Sequence, residues 1–423
     1  MPDARAEIIA ALEAALIAAD PERSTANAVR ATSLPSSSEA IDIVGIGKAA
    51  VPMVRGAISA LPGCTVRVFV LTKDDHGLGQ TDPAWTVRYG AHPVLEQRNI
   101  DATNELLAWL AAGEVAPTAL CLVSGGGSAL LERPYDGISL RDFQSVTEFL
   151  LRAGADITEL NTVRSCLSQV KGGGLRSFIR SPRCISLLLS DVLGNDPAVI
   201  ASGPTVPTRH APAEALAVLA QFGLIEKATQ SVLDHLHQAH GSQSVGRSED
   251  QIAIIADNSS AVEAARTALQ KAGYNTAIGE CEMTGEASEH AQAWVEMLTT
   301  LPTDIEAVVG GGELTVTVRG NGQGGRNTEF ALAAAVALCE RGLDDWTVAS
   351  LATDGQDALT GVAGAIVSAA TITTIRNLGG DPDKELATNN SFPYLEQVGA
   401  TVHTGPTGTN VNDCYFAVRT RLA

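Results

Sequence analysis

A short apolar run, a glycine-bearing loop and an alanine-rich helical stretch recur in that order, and this unit restricts the fold more than any other feature of the chain. Ile41–Val44 precedes GIGKAA, Ala119–Val123 precedes SGGGSALL, and Ile185–Leu189 precedes SDVLGND. Near-continuous apolar strands suit a parallel sheet with helices on both faces. Their alternation with helices predicts an α/β fold. At 423 residues the chain exceeds the usual ~150 residues of one domain, so two or three compact units are expected. A polar stretch near residues 227–250, KATQSVLDHLHQAHGSQSVGRSED, separates the first strand series from a second one in QIAIIADN, DIEAVVGGG, LTVTVRG, WTVASLATDG and DCYFAVRT. The expected division is therefore residues 1–237 and 238–423. The amphipathic stretch MPDARAEIIAALEAALIAAD suits either half.

Charge excludes some functions. With 29 Lys+Arg against 48 Asp+Glu, the net charge is −19, which argues against a general nucleic-acid or anionic-membrane binder. No run of about eighteen apolar residues occurs, and the acidic N-terminal stretch reads as a helix rather than a signal peptide, so a cytoplasmic location is expected. Seven scattered cysteines without a Cys-x-x-Cys pair suit buried thiols in a reducing compartment better than a disulfide framework or a zinc site. His237 and His240 share a helical face without a carboxylate at metal spacing, and read as a solvated helix.

Fifteen of the forty glycines fall in five clusters, at Gly45/Gly47, Gly125–Gly127, Gly172–Gly174, Gly310–Gly312 and Gly320/Gly322/Gly324/Gly325. Such strings at strand ends allow positive φ and bring backbone N–H groups close to a ligand. GIGKAA is open to two readings. It is a G-x-G-x-x-A dinucleotide loop with Asp74 or Asp75 on the ribose, or it is a turn that sets Lys48 against anionic oxygens. Ser124, Gly125, Gly126, Gly127 and Ser128 form a candidate phosphate cradle of amides flanked by hydroxyls. Arg164 and Lys171, seven apart, lie on one helical face and converge on one anion, or form a solvated basic face. Asp191 and Asp196 bracket a turn, as metal ligands, as a general base, or as local Asx hydrogen bonding. Asn327 or Thr328 is expected to cap the helix FALAAAVALCE, leaving Arg326 in the loop ahead as a clamp for carboxylate or phosphate. Glu313, Asp354 and Asn410 sit in further polar strand-end segments.

Together these segments resemble the glycerate 2-kinase family, whose C-terminal half contains the MOFRL domain. VGIGKAA, GAHPVLE, SGGGSALL, GADITELNTVRSCLSQVKGGGL, LLLSDVLGNDPAVIASGPTV, GGGELTVTVRGNGQGGRNTEFALA, LATDGQDALTG and TGPTGTNVNDCYFAV match in order over nearly the whole chain. The resemblance implies two α/β domains with largely parallel sheets and an interdomain active-site cleft, the MOFRL region covering about residues 305–415. It implies ATP- and Mg²⁺-dependent phosphorylation of D-glycerate to 2-phosphoglycerate, by a monomer or homodimer. Lys48 and Arg326 are then central to catalysis, with Asp191 and Asp354 as helpers. Gly45, Gly47, Gly125–Ser128 and Lys171 would bind the nucleotide, Arg164, Glu313, Asn327 and Asn410 the substrate, and Asp191 and Asp196 the metal. Gly174 departs from the family pattern, which more often has a larger residue. The rival readings are an NAD(P)H-dependent hydroxypyruvate reductase, a kinase for another hydroxy acid, and a non-catalytic metabolite-binding protein.

Overall fold

Six apolar segments form one sheet in a computed structural model that describes residues 3–32, 39–74, 76, 79, 81–208, 210–238, 247–358 and 361–420. The strands are β1 (Ala40–Ile46), β2 (Thr65–Lys73), β3 (Thr86–Gly90), β4 (Thr118–Val123), β5 (Arg183–Leu189) and β6 (Gln251–Ala256), in the order β3-β2-β1-β4-β5-β6. β1 to β5 pair in parallel. Every residue of β4 is buried, as its unbroken apolar run requires. Parallel pairing puts the loops after β1 and β4 side by side, because both strands end at the same edge.

The second sheet is built from β7 (Thr276–Ile278), β8 (Met283–Glu286), β9 (Ala307–Thr315), β10 (Trp346–Ala352), β11 (Gly364–Ser368), β12 (Thr401–Val402) and β13 (Asp413–Arg419). Its order is β12-β11-β10-β13-β9-β7, with β8 also on β9. The expectation of two largely parallel sheets is corrected here. β7 and β8 run parallel to β9, but β9/β13, β13/β10, β10/β11 and β11/β12 are all antiparallel. Parallel neighbours need a long crossover, and the described residues between β10 and β11 contain no helix, so the chain turns straight back. The α/β class itself holds in both units.

The chain divides into Pro21–Ile255 and a unit formed by Met1–Asp20 with Ala256–Ala423. This moves the boundary from the expected 237/238 and assigns the first helix to the C-terminal unit. That helix, Ala4–Ala18, buries Ala4, Ile8, Ala11, Leu12 and Ala15 at helical spacing and packs on the helix Asn258–Lys271. Arg5 fastens it by donating to the carbonyls of Ala400 (3.3 Å) and Thr401 (3.0 Å). The next helix, Pro21–Ala31, packs instead on Ala50–Ser59, where a Cβ on Gly56 would overlap the Glu22 carbonyl. In the C-terminal unit the helix Arg326–Arg341 is buried along nearly its whole length, which explains its run of small alanines.

Candidate active site

In the Pro21–Ile255 unit the loops after β1 and β4 are laced together. Lys48 N–H donates to the Gly125 carbonyl (3.0 Å), Ala49 N–H to Ser124 Oγ (3.0 Å) and Ser124 N–H to the Ile46 carbonyl (2.9 Å). Gly47, at φ +115°, donates to the Leu71 carbonyl (3.0 Å), and Ala50 to Gly47 (3.3 Å). Gly45 lies within β1, where a Cβ would come 2.8 Å from Val54. Every amide from Gly47 to Ala50 is thus occupied, and the loop has no donors left for a pyrophosphate. GIGKAA is a packing joint rather than a dinucleotide cradle, which corrects the reading of Gly45 and Gly47 as nucleotide-binding. Asp74 pairs with Arg98 at 2.6 Å, both substantially exposed, and Asp75 and His240 lie outside the described residues. What the loop offers is the half-buried side chain of Lys48, which forms no ion pair among the described residues.

The loop Gly125–Gly127 is built differently. Gly127 N–H reaches the Ser124 carbonyl (3.3 Å), but the amides of Gly125, Gly126 and Ser128 meet no acceptor among the described residues. Both flanking hydroxyls are turned into the scaffold: Ser124 Oγ accepts from Ala49, and Ser128 Oγ lies 2.6 Å from Ser202 Oγ. A Cβ on Gly125 would overlap the Asp191 carboxylate, and one on Gly126, at φ +82°, would come 3.1 Å from both His92 and Lys48 Cγ. The bare loop is therefore surrounded by a cation, an imidazole and a carboxylate. Asp191 has no ion pair among the described residues, and burial raises its carboxyl pKa against the pull of the Lys48 charge. Burial, then the charges of Lys48, Lys73 and His76, lower the His92 pKa to about 4, so its ring is neutral at pH 7. Asp196 is exposed and its Oδ1 accepts from Ala198 N–H (2.9 Å), the local turn bond of an Asx motif. Gly125→Ala should displace the Asp191 carboxylate and lower kcat by roughly 10²-fold, the usual cost of a misplacement near 1 Å. Steady-state kinetics check this, and near-normal turnover would show that Asp191 is not needed beside the loop.

Arg164 and Lys171 do converge, though not as sequence spacing suggests. The helix Ile157–Leu167 ends before Lys171, and the two cations meet on a carbonyl rather than an anion: Arg164 Nη2 (3.0 Å) and Lys171 Nζ (2.6 Å) both donate to Ser128 O. Lys171 also reaches the Leu131 carbonyl (3.1 Å) and sits 3.3 Å from Glu132, with both side chains sealed from solvent. With its ammonium spent on two carbonyls and Glu132 and sealed from solvent, Lys171 braces the glycine loop from beneath, which does not fit the expected phosphate contact. The amides of Gly172, Gly173 and Gly174 are spent on the carbonyls of Ser202, Gly203 and Lys171, so that cluster is a structural turn. Gly174 is required there because a Cβ would overlap the Gln169 carbonyl. Burial, only partly offset by Glu132, lowers the Lys171 pKa from 10.5 to about 8. Between pH 8 and 10.5 the unfolded chain therefore keeps a proton the folded one has released, and Lys171's contribution to stability grows as pH rises through that window. Lys171→Met should destabilise by about 3–5 kcal/mol by stranding Glu132, and Lys171→Met/Glu132→Gln should recover most of that loss. Denaturant melts check both variants, and equal losses would mean Glu132 is not the partner that matters.

In the C-terminal unit, Arg326 opens its helix instead of preceding it. Neither Asn327 nor Thr328 is the cap. The Asp357 carboxylate accepts from Asn327 N–H (2.9 Å), Thr328 N–H (2.8 Å) and Thr328 Oγ1 (2.8 Å) at the helix start. A Cβ on Gly325 would overlap that carboxylate. Asn327 is fully buried and accepts from Ser350 Oγ (2.6 Å), so it supports the fold rather than contacting substrate. Arg326 donates to the fully buried Asp413 through Nε (2.6 Å) and Nη2 (3.1 Å), and to Glu313 through Nη1 (3.0 Å). Burial works to lower its pKa, but Asp413 and Glu313 outweigh that and raise it. Three of the five guanidinium N–H donors are taken, leaving two for a ligand oxygen. Gly310–Gly312 lie inside β9, paired to Tyr415, Cys414 and Asp413, and not in a loop. A Cβ on Gly311 would overlap Asn258, whose amide donates to the Val411 (2.8 Å) and Asp413 (2.9 Å) carbonyls. Asp354 is partly exposed and accepts from Gln356 N–H (2.9 Å), while Asn410 accepts from Asn412 N–H (3.0 Å).

Comparison with known proteins decides the family. Residues 7–237 match a domain of unknown function, DUF4147, and residues 306–413 match the MOFRL family. A D-glycerate 2-kinase from Thermotoga maritima is 36% identical over 88% of this chain and 88% of its own. This chain belongs to the glycerate 2-kinase family. A second member, a glycerate 2-kinase from Pyrococcus horikoshii, is 34% identical over 96% of this chain and 95% of its own. The solved structure of a Thermotoga maritima glycerate kinase superposes with a TM-score of 0.90 at 33% identity, covering 99% of this chain and all of that one. An Agrobacterium vitis relative, 35% identical over 88% of this chain and 85% of its own, bears a hydroxypyruvate reductase name only provisionally. Within this family's fold, sequence motifs pointed to Lys48, Asp191 and Arg326, but missed His92, Glu132, Asp357 and Asp413. His92, Asp357 and Asp413 lie in the segments GAHPVLE, LATDGQDALTG and TGPTGTNVNDCYFAV, the last two read only as polar strand ends. Glu132 follows SGGGSALL, where one acid after an apolar run carries no signal.

Proposed function

We propose that this protein transfers the γ-phosphoryl group of ATP to the 2-hydroxyl of D-glycerate, giving 2-phosphoglycerate and ADP. The observation that carries this reading is the glycine loop with three unoccupied amides, set between Lys48 and the half-buried Asp191. Phosphoryl transfer spreads charge over equatorial oxygens, so positioned N–H donors and cations do most of the work. In this reading Gly125, Gly126 and Ser128 hold phosphate oxygens and Lys48 neutralises charge on the transferred group. Asp191, with no ion pair among the described residues and a raised carboxyl pKa, either takes the proton of the attacking hydroxyl or holds the metal. Arg326 offers its two remaining donors to carboxylate or phosphate, and Asp354 is a helper.

The described residues contain no group of three or more side chains that could hold a metal ion. Mg²⁺ in kinases needs only one or two carboxylates beside water and phosphate, and Asp191 fits that demand better than Asp196, whose Oδ1 is already engaged. When bound, Mg²⁺ would supply neutralisation of the donor phosphates. The occupied amides of GIGKAA take away the loop on which the reductase reading rested. No described helix is long and apolar enough to cross a membrane, and a cytoplasmic monomer or homodimer remains part of the proposal.

A coupled assay with ATP, Mg²⁺ and each glycerate enantiomer should release ADP with D-glycerate and yield the 2-phospho isomer. NAD(P)H oxidation with hydroxypyruvate, without ADP release, would overturn the proposal.

A further inference from the structure

A cavity of about 660 Å³ opens beside the glycine loop within the Pro21–Ile255 unit. One wall is the loop itself, through Gly126 and Ser128, and the others carry Val94, Phe143, Thr147, Leu151 and Arg164. A three-carbon acid would fill a small part of this space, and its charged and hydroxyl groups gain nothing from apolar walls. Pockets of roughly 300–1,000 Å³ with apolar walls and a few polar groups suit ligands of nucleoside size. Val94 and Leu151, 64% and 58% exposed, are large apolar side chains left uncovered at this cavity, as expected where a ligand face supplies the cover.

The polar groups point the same way. Arg164 spends one donor on the Ser128 carbonyl, its Nε has no acceptor, and it forms no ion pair among the described residues. It lies 5.8 Å from the Phe143 ring, so a cation and an aromatic side chain border the same space. Gly126 and Ser128, whose amides are unoccupied, line it, and a Cβ on Gly126 would come 3.1 Å from both Lys48 Cγ and His92, itself a lining residue. We infer that this cavity receives the base and ribose of the phosphoryl donor, its phosphates following the Gly125–Ser128 amides toward Lys48. The inference rests on the kinase reading and assigns the nucleoside site to this unit.

Thr147→Trp, which fills the cavity, and Leu151→Glu, on an exposed position, test it. Each should raise KM for ATP by about tenfold or more, while kcat at saturating ATP and KM for D-glycerate stay within about twofold of the parent, the pattern of lost ground-state binding. Calorimetric titration with ATP should show the same loss, and thermal melts should match the parent. An unchanged KM for ATP in both variants, or a rise in KM for D-glycerate instead, overturns the assignment. If the parent protein releases no ADP with D-glycerate, the kinase reading fails. The cavity is then judged by ATP titration alone, and equal affinity in parent and Thr147→Trp overturns it.

Discussion

Lys48→Ala is expected to lower kcat by roughly 10³-fold or more while leaving the melting temperature within a degree or so of the parent. Both halves of this expectation follow from the surroundings of the side chain. Lys48 is held through its backbone, by Gly125 O and by His76 Nδ1 at 2.8 Å from its own carbonyl, so the turn survives loss of the ammonium. The ammonium forms no ion pair among the described residues and acts on Asp191 through its charge without a direct contact, so its removal breaks no bond of the fold. Its positive charge beside the unoccupied amides is what the reaction loses. Steady-state kinetics with a thermal melt measure both, and a variant keeping more than about a tenth of parental kcat would remove Lys48 from the proposed mechanism.

Arg326→Ala is expected to cost both activity and stability. Asp413 is fully buried, and its carboxylate is matched by the two-pronged guanidinium and by Tyr415 Oη at 3.3 Å. Removing the cation strands that charge, which costs about 3–5 kcal/mol and lowers the melting temperature on the order of 10 °C. Arg326→Lys should recover little, because an ammonium cannot span both carboxylate oxygens while reaching Glu313. Arg326→Met/Asp413→Asn separates the two effects: it should regain most of the stability and none of the turnover. A single Arg326→Ala variant that melts like the parent would show that the Asp413 pair contributes nothing to the fold.

The contrast between these residues was only partly legible in the sequence. Both were singled out as cations beside glycines, and both remain at the centre of the proposed chemistry. The partners that make one dispensable to the fold and the other not are distant in the chain: Asp413 lies far beyond Arg326, and Asp191 far beyond Lys48. The five glycine clusters looked equivalent as strings. In the structure one presents unoccupied amides, one is a turn whose amides are already bonded, one lies inside a strand, and the others are packing joints.

Local chemistry determined the α/β class, the order of strands and helices, and the residues where charge and glycine coincide, because apolar periodicity and turn chemistry act over a few neighbours. Tertiary structure alone decided which amides remained free, that Lys171 spends its ammonium bracing the loop, and that the second sheet turns back on itself. Each of these depends on where a distant carbonyl or carboxylate comes to rest, since a buried donor takes whatever acceptor the packed fold brings within reach.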